Sequence, residues 1–192
     1  MQAINPELED AELVKLSLAQ PECFSYIIGR YKDKLQRYIR RLGAFNLEDS
    51  EDILQEVFLK VYKNLNGYEP ELKFSSWIYR IAHNEAISHF RKRKARPEGY
   101  SISIDSPGLQ LLASDLSLEN RVDGLMRDEA VTAALLTLDE RYRDILILKF
   151  FEEKSYNEIS DIIKKPLGTV ASLISRAKKD LKEALPEQWR ET

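Results

Sequence analysis

Three groups of residues have the types and spacing to do chemistry. Residues 73–96 read KFSSWIYRIAHNEAISHFRKRKAR, with Phe74, Trp77, Tyr79 and Phe90 interleaved with bases and amides. Such a mixture holds single-stranded nucleic acid, because ring faces stack on bases while cations follow the phosphates. A helix this amphipathic must also bury one side. The alternative is therefore that Trp77 and Phe90 are core and only the Arg/Lys run of 91–96 meets phosphate, and it is expected to hold for at least Trp77 or Ile81. The second group lies near the C-terminus. Two short helices joined by a tight turn suggest a helix-turn-helix, and residues 164–182 carry six positive side chains and one acid. The outward face of the second helix would present Thr169, Ser172, Ser175, Arg176 and Lys179, side chains that contact phosphates and read base edges in a major groove. An ordinary helical hairpin with a solvated basic side has the same pattern. The third group is a stripe of Asp52, Gln55, Glu56, Leu59 and Lys63 at steps of three and four. Acidic at one end, with an exposed apolar residue beside it, the stripe suits docking on a basic helical surface of a partner protein. A solvated helix face is the plain alternative.

Enzymatic chemistry has no comparable support. No Gly-rich phosphate loop, metal cluster or nucleophile–base pair is visible. His83 and His89 are the two histidines; they lie six apart, off the metal-friendly i, i+4 spacing, and read as surface or capping residues. No metal site, cofactor or small-molecule substrate is expected. Cys23, the single cysteine, excludes an intrachain disulfide, fits a reducing cytosol, and reads as a buried small apolar residue rather than a redox sensor.

These groups need helices to position them. The chain has 192 residues, 43% hydrophobic and 32% charged, enough for a core in one domain or two small ones. No run of eighteen apolar residues suggests a membrane span, and the acidic N-terminus (Glu7, Glu9, Asp10, Glu12) lacks the order of a secretion signal. The net charge of −3 conceals clumping: RKRKAR at 91–96 is basic and EDSEDILQE at 48–56 is acidic. Residues 97–120 carry no Lys or Arg and four acids.

Helical periodicity dominates, and no alternation long enough for a sheet is present. Leu13, Leu16 and Phe24 suggest a first helix interrupted near Pro21. Ile27, Tyr31, Leu35, Tyr38 and Leu42 mark a second, ended by Gly43. Asn46 caps a third with Ile53, Val57, Val61 and Leu65 inside. Asn66-Gly67 and Pro70 make a loop, and a further helix runs from about Ser75 to Arg93. Beyond an expected linker, helices resume near Leu118. Thr137-x-x-Glu140 and Ser155-x-x-Glu158 each resemble a capping box. A turn at Lys164-Lys165-Pro166 precedes a last helix to about Leu185. The expected fold class is all-α: two small helical domains, 1–96 and 121–192, joined by an acidic flexible linker at 97–120, the C-terminal one a helix-turn-helix domain.

With these residues in place, the chain resembles the bacterial extracytoplasmic-function (ECF) sigma factors, two-domain initiation subunits of RNA polymerase. SEDILQEVFLKVYKNL at 50–65 is similar to the family's core-binding helix. FSSWIYRIAHNEAISHFRKRK at 74–94 is similar to its −10 element segment, and 138–185 to its −35 reading domain. Order, spacing and linker agree across about residues 20–185.

The resemblance implies roles by matched position. Asp52, Gln55, Glu56 and Leu59 would meet the clamp helices of the polymerase β′ subunit, and the C-terminal domain the β flap. The loop 64–73, with Lys73, would help to open the −10 element. Asn64, Tyr68 and Asn84 match positions forming a pocket for a flipped-out base. Arg80, Arg91, Lys92, Arg93 and Lys94 would hold its phosphates. The acidic strap would thread the polymerase's positively charged channel. Thr169, Ser172, Ser175, Arg176 and Lys179 would face the −35 duplex. The implied partners are core RNA polymerase, promoter DNA as duplex and melted strand, and an anti-sigma factor. The implied location is the bacterial cytoplasm, or the inner-membrane face where an anti-sigma partner holds the chain there. Departures fall in the helix-turn-helix: Ser160 stands where Ala is common, Lys164 where Gly is, Lys165 where an aliphatic is. Ala171 stands where Lys or Arg is common and Leu173 where Arg is. The other reading is a dimeric helix-turn-helix regulator with residues 1–96 as sensor or dimerisation domain, which gives the Asp52–Glu56 stripe no task.

Overall fold

A computed structural model describes residues 8–43, 46–94, 131 and 133–187. Among these residues all regular structure is helical. The expected linker at 97–120 and the resumption of helix near Leu118 lie outside them.

Four helices form the N-terminal bundle: α1 (Asp10–Ala19), α2 (Phe24–Gly43), α3 (Leu47–Lys63) and α4 (Phe74–Lys94). Pro21 interrupts the first pair as expected, with a 3-10 turn at Pro21–Cys23 whose missing proline N–H is tolerated at a helix start. Asn46 caps α3, its side-chain oxygen accepting from Asp49 N at 2.7 Å. The apolar stripes of α2, α3 and α4 meet: Leu35, Tyr38, Ile39, Ile53, Val57, Val61, Ile78 and Ala82 are at or near zero exposure. Cys23 is buried at 3%. Its place on the short turn makes it filler between α1 and α2.

The C-terminal unit holds α5 (Glu140–Leu146), prolonged by a π-helical turn over Ile147–Phe151, then α6 (Tyr156–Ile163) and α7 (Leu167–Ala184). The start of α5 differs from expectation. Asp139 is the N-cap, accepting from Arg141 N at 3.0 Å. Thr137 instead donates to Ala134 O at 2.8 Å and so completes the preceding helical residues. An Asp side chain next to the first helical residue displaces a Thr two positions earlier. The second box is complete: Ser155 Oγ accepts from Glu158 N, and the Glu158 carboxylate accepts from Ser155 N at 2.9 Å.

The turn between α6 and α7 explains two unusual residues. Lys164 closes α6 in the left-handed region, φ 52° and ψ 50°. Ser160 donates its hydroxyl to Lys165 O at 2.6 Å, satisfying a turn carbonyl that an alanine would leave to water. A Cβ in left-handed geometry costs about 1 kcal/mol. Lys164→Gly is therefore expected to raise the thermal midpoint by about 2–4 °C. An unchanged or lower midpoint in a calorimetric scan would show that the lysine is not strained.

The two units are packed together. α6 lies against α4, and the core runs without a break from one unit to the other. Arg41 of α2 and Glu152, just past the π turn, form an ion pair at 2.8 Å with side chains 9% and 7% exposed. Tyr79 of α4 donates to the same carboxylate at 2.7 Å. The Arg41 guanidinium sits 5.0 Å over the Phe151 ring and the Lys154 ammonium 4.1 Å over Tyr79. At the edge, Lys73 meets Glu158 at 3.2 Å.

A cavity of about 440 Å³ remains between the units, lined by His83, Ile87, Asp144, Ile163 and Leu173 among others. Burial pushes the Asp144 carboxyl up to about 8, and burial pushes the His83 imidazole down to about 4. His83, expected as a surface or capping residue, is half-buried at this cavity, and its Nδ1 lies 3.1 Å from the Tyr38 hydroxyl. The raised Asp144 holds its proton more tightly when folded, so stability falls as pH rises towards 8. The depressed His83 has the opposite slope, but only up to its unfolded value of about 6.5. Of these two groups, only Asp144 acts between about pH 6.5 and 8. Asp144→Asn is expected to abolish a stability loss of about 1–2 kcal/mol over that interval. Chemical unfolding at both pH values measures it; parallel pH slopes for wild type and variant would sink the assignment.

Candidate functional site

Two exposed faces and one recess gather the sequence-predicted residues. The first face is the outer side of α3. Its buried stripe of Ile53, Leu54, Val57, Phe58 and Val61 fixes the helix rotation, so Asp52, Gln55, Glu56 and Leu59 must point outward. All four are exposed, Leu59 to 58%. Beside them α2 and α3 form a groove of about 750 Å³, lined by Phe24, Ile28, Leu54, Gln55, Phe58, Leu59 and Tyr62 with Lys32 and Glu51 at its edges. Tyr62 is 47% exposed there. Sequence reasoning missed the groove, because its two walls lie some thirty residues apart along the chain. The Glu56 carboxyl is held below its usual range by the hydrogen bond from His89.

The recess lies where the C-terminal end of α3 meets the middle of α4. It holds about 350 Å³ and is lined by Lys60, Asn64, Gly67, Trp77, Ile81, Asn84 and Glu85. Asn64 caps the end of α3 through its own amide, which donates to Lys60 O at 2.8 Å, and the residue is exposed. Asn84 is exposed on α4. The structure thus brings Asn64 and Asn84 to one opening. Tyr68 stands outside its lining: the ring packs on Phe74 at 5.2 Å and Trp77 at 5.7 Å, and the hydroxyl donates to Leu72 O. Trp77 borders the recess in its place, but is only 6% exposed.

Of the two readings of the aromatic series on α4, burial selects core. Phe74, Trp77 and Tyr79 are 2%, 6% and 2% exposed. Phe90 is half-buried beneath the Arg143 guanidinium. Their faces are not free to stack on bases. The cations differ in availability. Arg91 and Lys92 are exposed and Arg80 is half-exposed. Arg93 is paired with Asp49 at 2.8 Å and Lys73 with Glu158. Lys94 ends α4, and Ala95 and Arg96 fall outside the described residues.

The second face is the outer side of α7. Val170, Ile174 and Ala177 are buried against α5 and α6, which turns Thr169, Ser172, Ser175, Arg176 and Lys179 to solvent. Ser172 Oγ donates back to Thr169 O at 2.9 Å. Lys164, Lys165, Lys178 and Lys182 are exposed around them, making a positive side without an acid until Asp180. Leu173 does not belong to this side. It is half-buried, packs on the core and lines the cavity between the two units, so an apolar cavity wall stands where the family commonly has arginine.

Comparison with known proteins decides the family. A family model for Sigma-70 region 2 matches residues 27–96, and one for Sigma-70 region 4 matches residues 128–181. The chain belongs to the sigma-70 family, in its ECF branch. Among its relatives, this ECF factor is 35% identical over 171 residues to the ECF RNA polymerase sigma factor SigW of Bacillus subtilis, covering 85% of this chain and 89% of the relative. It is 30% identical over 190 residues to the RNA polymerase sigma-H factor of Pseudomonas aeruginosa, covering 95% and 97%. In fold it is similar to CnrH, solved in complex with the cytosolic domain of CnrY, with TM-score 0.66 and 20% identity over 91% of this chain and 95% of that one. It is also similar to the sigma factor RpoE of Bartonella quintana, solved with the anti-sigma factor NepR, with TM-score 0.62 and 21% identity over 84% and 95%. The region 2 match runs from within α2 through α4, where the exposed Asp52–Leu59 row and the recess lie, and the region 4 match takes in α5, α6 and most of α7. No helix among the described residues is long and apolar enough to cross a membrane.

Proposed function

We propose that this ECF factor binds core RNA polymerase through the outer side of α3, directs it to promoters, and stabilises the melted −10 strand. The phosphoryl chemistry belongs to the polymerase. Asp52, Gln55 and Glu56 supply the polar contacts of docking, and Leu59 with the adjoining groove supplies apolar area. The Asn64–Asn84 recess takes an extruded base, whose unstacking cost of a few kcal/mol is offset by amide contacts to its edge. Arg80, Arg91, Lys92, Arg93 and Lys94 carry the strand's phosphates. Thr169, Ser172, Ser175, Arg176 and Lys179 meet the −35 duplex in its major groove. The unit boundaries are taken as 1–96 and 121–192 with the acidic strap between. An anti-sigma factor is the expected antagonist, a reading supported by the complexes in which CnrH and RpoE were solved.

The observation that carries this reading is the exposed Asp52–Gln55–Glu56–Leu59 row beside an uncovered apolar groove. Size exclusion with bacterial core polymerase tests it. The wild type is expected to co-elute and Gln55→Ala/Glu56→Lys to lose co-elution. A folded wild type that fails to co-elute would favour the dimeric helix-turn-helix regulator.

A further inference from the structure

α3 and α4 lie side by side in opposite directions, and at one level three metal-ligating side chains converge. Glu56 comes from α3. Glu85 and His89, four apart, come from successive turns of α4. One ligand atom from each lies within 4.8 Å of the other two. His89 Nε2 is 3.0 Å from Glu56 Oε2. Two ligands each about 2.0 Å from a tetrahedral zinc ion stand about 3.3 Å apart, so this pair needs little adjustment. Glu85 is 8% exposed and held by packing, while Glu56 is free to adapt at the surface. The recess beside Glu85 leaves room for water to complete a coordination shell.

We propose that Glu56, Glu85 and His89 form a binding site for a divalent ion of the zinc class, with three protein ligands and one open position. Imidazole with two carboxylates suits such borderline ions better than it suits calcium or magnesium, which prefer oxygen alone. Two lysines face the cluster. Lys60 Nζ lies 2.5 Å from Glu85 Oε1, and Lys92 acts on Glu56. The Lys60 side chain is 52% exposed but that of Glu85 only 11%, so the ammonium leaves this carboxylate only where the ion takes over its charge. The ion displaces it. A bound ion also takes Glu56 away from a docking partner; that consequence rests on the proposed function, whereas the site itself does not.

The test uses the full-length chain without an affinity tag. The chain has two histidines and one cysteine, and His83 and Cys23 are engaged elsewhere, so rival sites are few. Co²⁺ is followed by its visible absorption and Zn²⁺ by calorimetry. One equivalent is expected to bind saturably. His89→Ala and Glu85→Gln are each expected to weaken binding at least tenfold. Lys60→Ala, which removes the competing ammonium, is expected to tighten it several-fold and keeps the test open if Glu85→Gln misfolds by circular dichroism. Absence of saturable binding, wild-type affinity in His89→Ala, or no tightening in Lys60→Ala would overturn the site. Zn²⁺ is further expected to weaken polymerase co-elution of the wild type and not of His89→Ala. Metal binding with unchanged co-elution would leave the site standing and remove Glu56 from the docking surface.

Discussion

Glu152→Ala is expected to release the C-terminal unit from the N-terminal bundle. The substitution removes the Glu152 carboxylate from an Arg41 guanidinium whose side chain is 9% exposed, and removes the acceptor of the Tyr79 hydroxyl. Breaking one half of a buried ion pair costs about 3–5 kcal/mol, mostly as the desolvation of the charge left behind. Much of that cost is avoided when the units separate and Arg41 regains water. The expected result is an increased radius of gyration in small-angle scattering, with helix content by circular dichroism unchanged. The double variant Arg41→Met/Glu152→Met replaces both charges with apolar volume and is expected to remain compact, because no lone charge is buried. Equal expansion of single and double variants would show that the pair acts through something other than its charge. Separation also releases Lys73, whose side chain is already 72% exposed, from Glu158.

Asn84→Ala is expected to impair promoter opening by about 10–100-fold while leaving co-elution with core polymerase intact. The magnitude is that of losing amide recognition of one base edge, about 1–3 kcal/mol. Asn84 is exposed at the mouth of the recess and holds no core position, so the fold has no reason to respond. Permanganate reactivity of unpaired thymines at a target promoter reports opening, and size exclusion reports docking. Equal loss of both would place Asn84 outside the recess's task. Tyr68→Ala is the informative contrast. The Tyr68 ring braces Phe74 and Trp77 and its hydroxyl satisfies Leu72 O, so its loss acts through loop and core stability rather than base contact.

Local signals were legible because their physics is local. The Asn46 cap, the Ser155–Glu158 box and the apolar spacing of α2 and α3 rest on residues within a few positions of each other. The outward rows on α3 and α7 follow from the same periodicity: once the buried stripe is placed, the opposite side is determined. Periodicity also set the helical class, and composition the scarcity of metal-ligating histidines. Where two local signals competed, sequence reading chose wrongly at Thr137, since Asp139 caps α5 and only the backbone course distinguishes them.

What the tertiary structure decided are the relations between distant segments. Whether the α4 aromatics stack on bases or fill the core depends on what lies against them, and α2, α3 and α6 bury them. His83 and His89 were compared with each other along one helix, six apart. The relevant partners were Tyr38 for one and Glu56 with Glu85 for the other, and Glu85–His89 has the i, i+4 spacing that a search for paired histidines passes over. Glu152, an unremarked acid in the sequence, became a buried anchor because Arg41, more than a hundred positions earlier, meets it across the two units. A charge's worth depends on its solvent and its neighbours, and those are properties of the folded chain rather than of residue order.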